Sequence, residues 1–315
     1  MYEHIKFIVE KEHGKVRVDK FLTNFMKNIS RRIIQNSAIW INEKPVKPSF
    51  LVKNSDRVSV LMNSLINQEI KSEDVPLNLI YEDKEIIVVN KPPGMVVHPG
   101  IGNSKGTLVN ALKSHLNKDT YRFGLAHRID KDTSGLLVVA KNNQSLEQLM
   151  KQFFFHKIQR EYLAIVCGNI SQVKGIIVGN IGRNPNYRKN MMVFTDGSRG
   201  KNAVTYYKVL ENFRYVTFIS CHLETGRTHQ IRTHLKFLGH PIFNDPRYGG
   251  DKIFKKIAKD KEQKFFLEKC FDICKRQALH ANYLGFTHPK SGKYLHFECD
   301  LSKDFLHLLN KCRGL

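Results

Sequence analysis

The polar run Gly124-Leu125-Ala126-His127-Arg128-Ile129-Asp130-Lys131-Asp132-Thr133-Ser134-Gly135 places carboxylates beside cations and an imidazole. A carboxylate in that setting can serve as a nucleophile or a base, provided that a cation keeps it ionised against desolvation. The β-branched run Leu136-Leu137-Val138-Val139-Ala140 follows, with the length and chemistry of a buried strand. The loop therefore sits at the rim of a core, where rigidly held loops often carry catalytic groups. By pattern alone, Asp130 serves equally well as a capping residue. A second constellation is Glu224-Thr225-Gly226-Arg227-Thr228-His229-Gln230-Ile231-Arg232. Here Thr228 is expected to cap a helix running through Leu235 and Leu238, which puts Arg227 at a strand-to-helix junction facing a cleft. Other chemistries lack their markers. The sequence contains no Gly-x-x-x-x-Gly-Lys-Ser/Thr loop, no Rossmann glycine pattern and no His-Glu-x-x-His. His229 and His234 are five apart and do not share the helix face of a zinc pair. Cys270 and Cys274 read as core thiols, and Ser134 has no nucleophile-elbow context.

The elements that must position these residues belong to a chain of 315 residues, long enough for two domains. With 41% hydrophobic and 25% charged residues, it has a globular composition. Its formal charge of +22 implies a polyanionic partner, nucleic acid first, against the plainer reading of a lysine-rich solvated surface. No apolar run approaches the ~20 residues of a membrane helix, and the N-terminus has no apolar signal core. A cytoplasmic protein without a membrane partner is expected. Six cysteines without a CxxC pair read as reduced thiols.

In chain order, residues 4–9 are expected to form a strand, and Val18, Phe21, Leu22, Phe25, Met26 and Ile29 the stripe of a helix. Ser30 is placed to cap a second helix carrying Ile33 and Ile34. Arg31 and Arg32 then meet the positive end of its dipole, an arrangement that a nearby phosphate would favour. Ile39-Trp40-Ile41 and Arg57-Val58-Ser59-Val60 read as strands. The division is residues 1–62 as a small module, 63–76 as a linker, and 77–315 as the larger domain. Ile86-Ile87-Val88-Val89 is a short buried strand ending in Asn90-Lys91-Pro92-Pro93-Gly94. Leu146 to Phe154 present a helical apolar face, and a strand from Lys157 places Arg160 and Tyr162 on one side. The lysine-rich stretch 251–264 is expected to be a surface insertion. Strands at hairpin spacing with few intervening helices predict an α+β fold, a mainly antiparallel mixed sheet with peripheral helices and a central cleft.

Residues 15–62 resemble the small RNA-binding module of the ribosomal-protein-S-four type. The family's usual glycines are Ser37 and Glu43 here, and its common Gly-Asp is Ser55-Asp56. Asn-Glu is a poorer tight-turn pair than Asn-Gly, so the tip at Asn42-Glu43 is expected to be longer or less regular. His127-Arg128-Ile129-Asp130-Lys131-Asp132-Thr133-Ser134-Gly135 resembles the H-R-L-D-x-x-T-S-G signature of the RluA-type pseudouridine synthases, with Ile129 in the leucine position. The likeness continues through Arg160-Glu161-Tyr162-Leu163, Thr225 to Arg232, His240-Pro241, Asp245-Pro246-Arg247-Tyr248-Gly249 and Leu279-His280-Ala281. Gly179-Asn180-Ile181-Gly182-Arg183 and the N-terminal module are most similar to the RluD-like branch. The resemblance implies an isomerase that converts uridine to pseudouridine in RNA, most of all 23S ribosomal RNA or a pre-ribosomal particle, as a monomer without cofactor or metal. Asp130 would attack the nucleotide or take a proton from it. Arg227 would pair with Asp130, and Tyr162 would lie against the uracil. Arg128 would replace the extruded base in the stack. Lys91, Arg232, Arg31 and Arg32 would contact phosphates. The alternatives are a tRNA substrate or a non-catalytic RNA-binding factor. A carboxylate hydrolase on a small substrate leaves the charge unexplained.

Overall fold

The computed structural model describes all residues except 1, 11–14, 27–33, 36, 64–70, 101, 117–123, 253–260 and 315. The chain divides into two compact units, Met1–Glu69 and Ile70–Leu315.

In the first unit, β1 (Tyr2–Ile8), β2 (Ala38–Ile41), β3 (Lys44–Val46) and β4 (Arg57–Asn63) form an antiparallel sheet in the order β1-β4-β2-β3. Helix α1 (Val18–Phe25) packs Val18, Phe21 and Leu22 onto Ile39, Ile41, Val58 and Val60 of that sheet. Full burial of each such side chain contributes about 1.5–3 kcal/mol. The hairpin tip differs from expectation. Ile41 pairs with Lys44, leaving a tight two-residue turn in which Asn42 and Glu43 both take positive φ, at 48° and 68°. The turn is held from outside: the Asn42 amide donates to Asp56 at 2.9 Å, and its oxygen accepts the Arg57 N–H at 2.9 Å. These bonds offset the strain that glycine would have avoided. Ser30, Arg31 and Arg32 lie outside the described residues.

The second unit is built on one 11-stranded sheet, with β11-β10-β12-β13-β9-β14-β8-β6-β5 as its main path. Its strands are β5 (Leu79–Glu82), β6 (Ile86–Lys91), β7 (Gly124–Leu125), β8 (Ser134–Ala140), β9 (Gln159–Cys167), β10 (Lys174–Arg183), β11 (Met191–Phe194), β12 (Lys201–Asn212), β13 (Val216–Leu223), β14 (Leu279–Thr287) and β15 (Tyr294–Glu298). The helices are α2 (Leu108–Leu116), α3 (Asn143–Phe154), α4 (Gln230–Phe237), α5 (Lys261–Ile273) and α6 (Lys303–Arg313). The sheet is antiparallel apart from the β14–β8 contact, so the architecture is the α+β one expected. Residues 86–89 and 134–140 are buried on both faces, which is why β6 and β8 read as unbroken apolar runs. The stretch 251–264 lies partly outside the described residues. From Lys261 it continues as α5, which buries Leu267 and Cys270.

One contact holds the middle of the sheet. Strand β14 runs antiparallel to β9 and meets β8 in parallel through His280 opposite Ser134 and Ala281 opposite Gly135. Gly135 has φ +112°, and a Cβ there would collide with the carbonyl oxygen of Ala281. Only glycine allows this approach.

Candidate active site

The loop carrying Asp130 is fastened through its own backbone. Thr133 N–H donates to the Asp130 carbonyl at 3.2 Å, closing a turn. Lys91 at the end of β6 donates to the carbonyls of Pro92, Met95 and Lys131 at 2.7, 3.0 and 3.0 Å. Three acceptors match the three donors of an ammonium. Burial, reinforced by Arg276, nevertheless pulls its pKa down to about 7. Arg276 donates to the Asp132 carbonyl at 2.8 Å and is itself paired with Asp304 at 2.6 Å. His127 accepts the Val138 N–H on Nε2 at 3.0 Å and stacks on Phe153. Burial lowers its pKa to about 3, so the ring is neutral with its proton on Nδ1. Ile129 is buried in the core beneath.

The carboxylate of Asp130 is held from α4. Arg232 Nη1 donates to its Oδ2 at 2.8 Å, while Nε and Nη2 grip Asp245 at 2.7 and 2.9 Å. Asp245 is fully buried and also accepts the N–H groups of Arg247 and Tyr248. Burial works against the guanidinium, but the bonds and charge of Asp245, joined by Asp130, outweigh it and raise its pKa. His229 Nε2 lies 3.8 Å from Asp130 Oδ1, and His229 Nδ1 lies 2.8 Å from the Tyr248 hydroxyl. Burial, against the pull of Asp130, lowers the His229 pKa to about 4, so this imidazole is neutral near neutral pH.

The start of α4 differs from expectation. Thr228 does not cap it; the helix begins after His229, which takes φ +54° and makes no side-chain capping bond. The buried amide of Gln230 does the fastening. Its oxygen accepts from the Arg227 N–H and the Thr225 hydroxyl, both at 2.8 Å, and its nitrogen donates to the Val204 carbonyl at 3.0 Å.

Three expected roles do not match this geometry. Arg232, not Arg227, pairs with Asp130, because Arg232 sits on the inward face of the first turn of α4 and is anchored by Asp245. It is buried between two carboxylates and is not presented to a phosphate. Arg227 donates from Nε to the Asn202 carbonyl at 3.0 Å and lines the same cavity. Lys91 likewise cannot reach a phosphate, being 1% exposed and engaged with three carbonyls. The remaining expected residues converge. Arg128, Asp130, Tyr162 and Arg227 line one cavity, together with His229 and Arg232. Tyr162 points inward from β9, and burial raises its pKa, keeping the phenol neutral. Arg128 is exposed at the rim. Sequence reasoning missed Asp245 and Arg276, and weighed His229 only as a metal ligand. The one signal for them was their place inside motifs already singled out or adjacent to one.

The family model described as RNA pseudouridylate synthase matches residues 85–237, the stretch that contains Asp130, Tyr162, Arg227 and Arg232. A Bacillus subtilis (strain 168) protein named uncharacterized RNA pseudouridine synthase YlyB is 40% identical over 318 residues, covering 98% of each chain. The ribosomal large subunit pseudouridine synthase D of Zymomonas mobilis subsp. mobilis is 39% identical over 300 residues, 91% of each chain. Among solved structures, human RNA pseudouridylate synthase domain containing 1 aligns with a TM-score of 0.55 at 25% identity. That alignment covers 78% of this chain and 97% of the human one.

Proposed function

This chain belongs to the RNA pseudouridylate synthase family, and on that basis we propose that it isomerises uridines to pseudouridine in large-subunit ribosomal RNA. The reaction breaks the bond between uracil nitrogen 1 and the sugar, turns the base, and joins carbon 5 to the sugar. Carbon 5 loses a proton and nitrogen 1 gains one. The observation that carries the reading is the asymmetric hold on Asp130. Arg232 occupies Oδ2, while Oδ1, without a hydrogen bond among the described residues, is left to the cavity. Oriented in this way, Asp130 acts on the nucleotide as nucleophile or base. Tyr162 lies against the flipped uracil and is the candidate for moving the carbon 5 proton. Arg227 lines the same cavity and faces the nucleotide there. Arg128 enters the stack that the base vacates, offsetting part of an unstacking cost of a few kcal/mol.

The +22 charge supports an RNA partner, and the first unit is proposed to be the RNA-binding module that helps to hold it. Arg31 and Arg32 remain proposed phosphate contacts of that module. The protein is proposed to work as a cytoplasmic monomer on free or assembling large-subunit RNA, the residues dividing as 1–62, 63–76 and 77–315. Among the described residues, no helix is long and apolar enough to cross a membrane. The test is Asp130→Asn. It is expected to fold and bind RNA but to form no pseudouridine, and appreciable turnover would sink the assignment. Chemical mapping of pseudouridines in ribosomal RNA from cells with and without the gene identifies the target. An unchanged large-subunit map would turn attention to tRNA.

A further inference from the structure

A second cavity, of about 550 Å³, adjoins the catalytic one and shares Arg128, Tyr162, Leu223 and Arg227 with it. Its far wall is the C-terminal end of α3. There Phe154 is 75% exposed and Phe155 62%, their rings edge to face at 5.1 Å. Two adjacent aromatic side chains left in water mark a contact surface. Arg160 forms part of the cavity wall. It is 8% exposed, yet its Nε has no hydrogen-bond partner. Among the described residues no carboxylate pairs with it, and its guanidinium carbon stands 5.5 Å from the centre of the Phe153 ring. Gly226 leaves room for it, since a Cβ there would stand 2.6 Å from Arg160 Nη1. A buried cation without a counter-ion is costly. Among the described residues no carboxylate lines this cavity, whereas Arg128, Arg160 and Arg227 all do.

We propose that this cavity binds a nucleotide next to the target uridine, with its base stacked on Phe154 and its phosphate on Arg160. The inference rests on the functional reading above and adds a subsite to it. Extruding the target uridine opens the stack around it, and beside Arg128 an exposed phenylalanine offers a stacking face to a neighbouring base. Stacking on an aromatic ring is tolerant of base identity, and the arginines match the backbone charge.

The experiment uses the full-length protein and a synthetic large-subunit stem-loop carrying the mapped uridine. Four further RNAs are abasic at one of the two positions on either side of it. On intact RNA, Phe154→Ala should raise KM about tenfold, the effect of losing one stacked base, with kcat within about twofold because the chemistry lies elsewhere. On one of the abasic RNAs the wild type should show the same rise, and Phe154→Ala should add nothing further. Phe154→Tyr should restore the wild-type KM. Arg160→Gln should weaken binding of intact RNA and lower the salt slope by about one. A Phe154→Ala penalty of the same size on every RNA, or none on any, overturns the subsite. A wild type that forms no pseudouridine on intact RNA, free or in the assembling subunit, refutes the functional reading itself, and the subsite with it.

Discussion

Replacing Arg232 with lysine tests the clamp on Asp130 without removing its charge. Arginine makes three charge-assisted bonds there, two to Asp245 and one to Asp130, all between 2.7 and 2.9 Å. Lysine carries a single ammonium and cannot reproduce a fork that spans both carboxylates. At least two of the three bonds are lost, each contributing about 1.5–3 kcal/mol. Asp245 is fully buried and keeps only its backbone donors. The expected loss of stability is about 3–5 kcal/mol, read as a lower urea midpoint with an unchanged slope. That leaves a protein of ordinary stability folded. Catalysis suffers separately. A carboxylate displaced by about 1 Å can cost a hundredfold in rate, so single-turnover pseudouridine formation should fall by roughly that factor while RNA affinity stays near wild type. A folded Arg232→Lys enzyme with wild-type rate would refute the clamp. A rise in KM with kcat intact would instead return Arg232 to the phosphate-binding role first expected of it.

Arg227→Ala should fold normally and lose activity at least tenfold in a single-turnover assay; a retained wild-type rate would remove it from the site. Gly135→Ala forces a methyl group into the Ala281 carbonyl at φ +112°. It should destabilise the protein by roughly 3 kcal/mol or more, and a midpoint within about 0.5 kcal/mol of wild type would contradict the close approach. Acid sensitivity should come from histidines that burial keeps neutral, with pKa about 3 for His127 and about 4 for His229, His234 and His280. Because the unfolded chain takes up these protons first, their contribution is full above pH ~6.5 and is lost as pH falls toward 4. For His280 alone that is up to about 3 kcal/mol. Urea midpoints measured between pH 7.5 and 4.5 should fall accordingly, and His280→Gln should flatten the slope. An equal slope in the variant would contradict the assignment.

The fold was legible wherever burial is two-sided or periodic. The unbroken runs of β6 and β8 announced the centre of the sheet, and the Val18–Phe21–Leu22 stripe announced α1. Alternation along β9 put Arg160 and Tyr162 on one face, and both are buried there. The partner of Asp130 was not legible. Arg227 and Arg232 are both arginines near a helix start, and which one turns inward depends on the Gln230 amide and on Asp245, neither of which spacing reveals. Lys91 misled for a related reason: a lysine after a strand is usually solvated, and only the loop folding back over it supplies the three carbonyls. The hairpin at Asn42-Glu43 stayed tight against its propensity because Asp56, fourteen residues on, holds it. Phe154 was placed on the apolar face of its helix, where such a residue is ordinarily core, yet it is exposed.

The seam at Gly135 also sets a clock on synthesis. Strand β9 ends at Cys167, but its neighbour β14 begins at Leu279. At about 5–20 residues per second, a growing chain spends roughly 5–20 s with β8 and β9 made and the strand between them still missing. During that interval both strands present unpaired backbone, a surface prone to wrong pairing. Closing them demands contacts between distant parts of the chain, which form slowly. The Asp130 loop rides on β8, and the arginine clamp follows β13 on the other side of the gap. The ribosome making this enzyme therefore carries, until β14 emerges, a sheet whose central seam is still open.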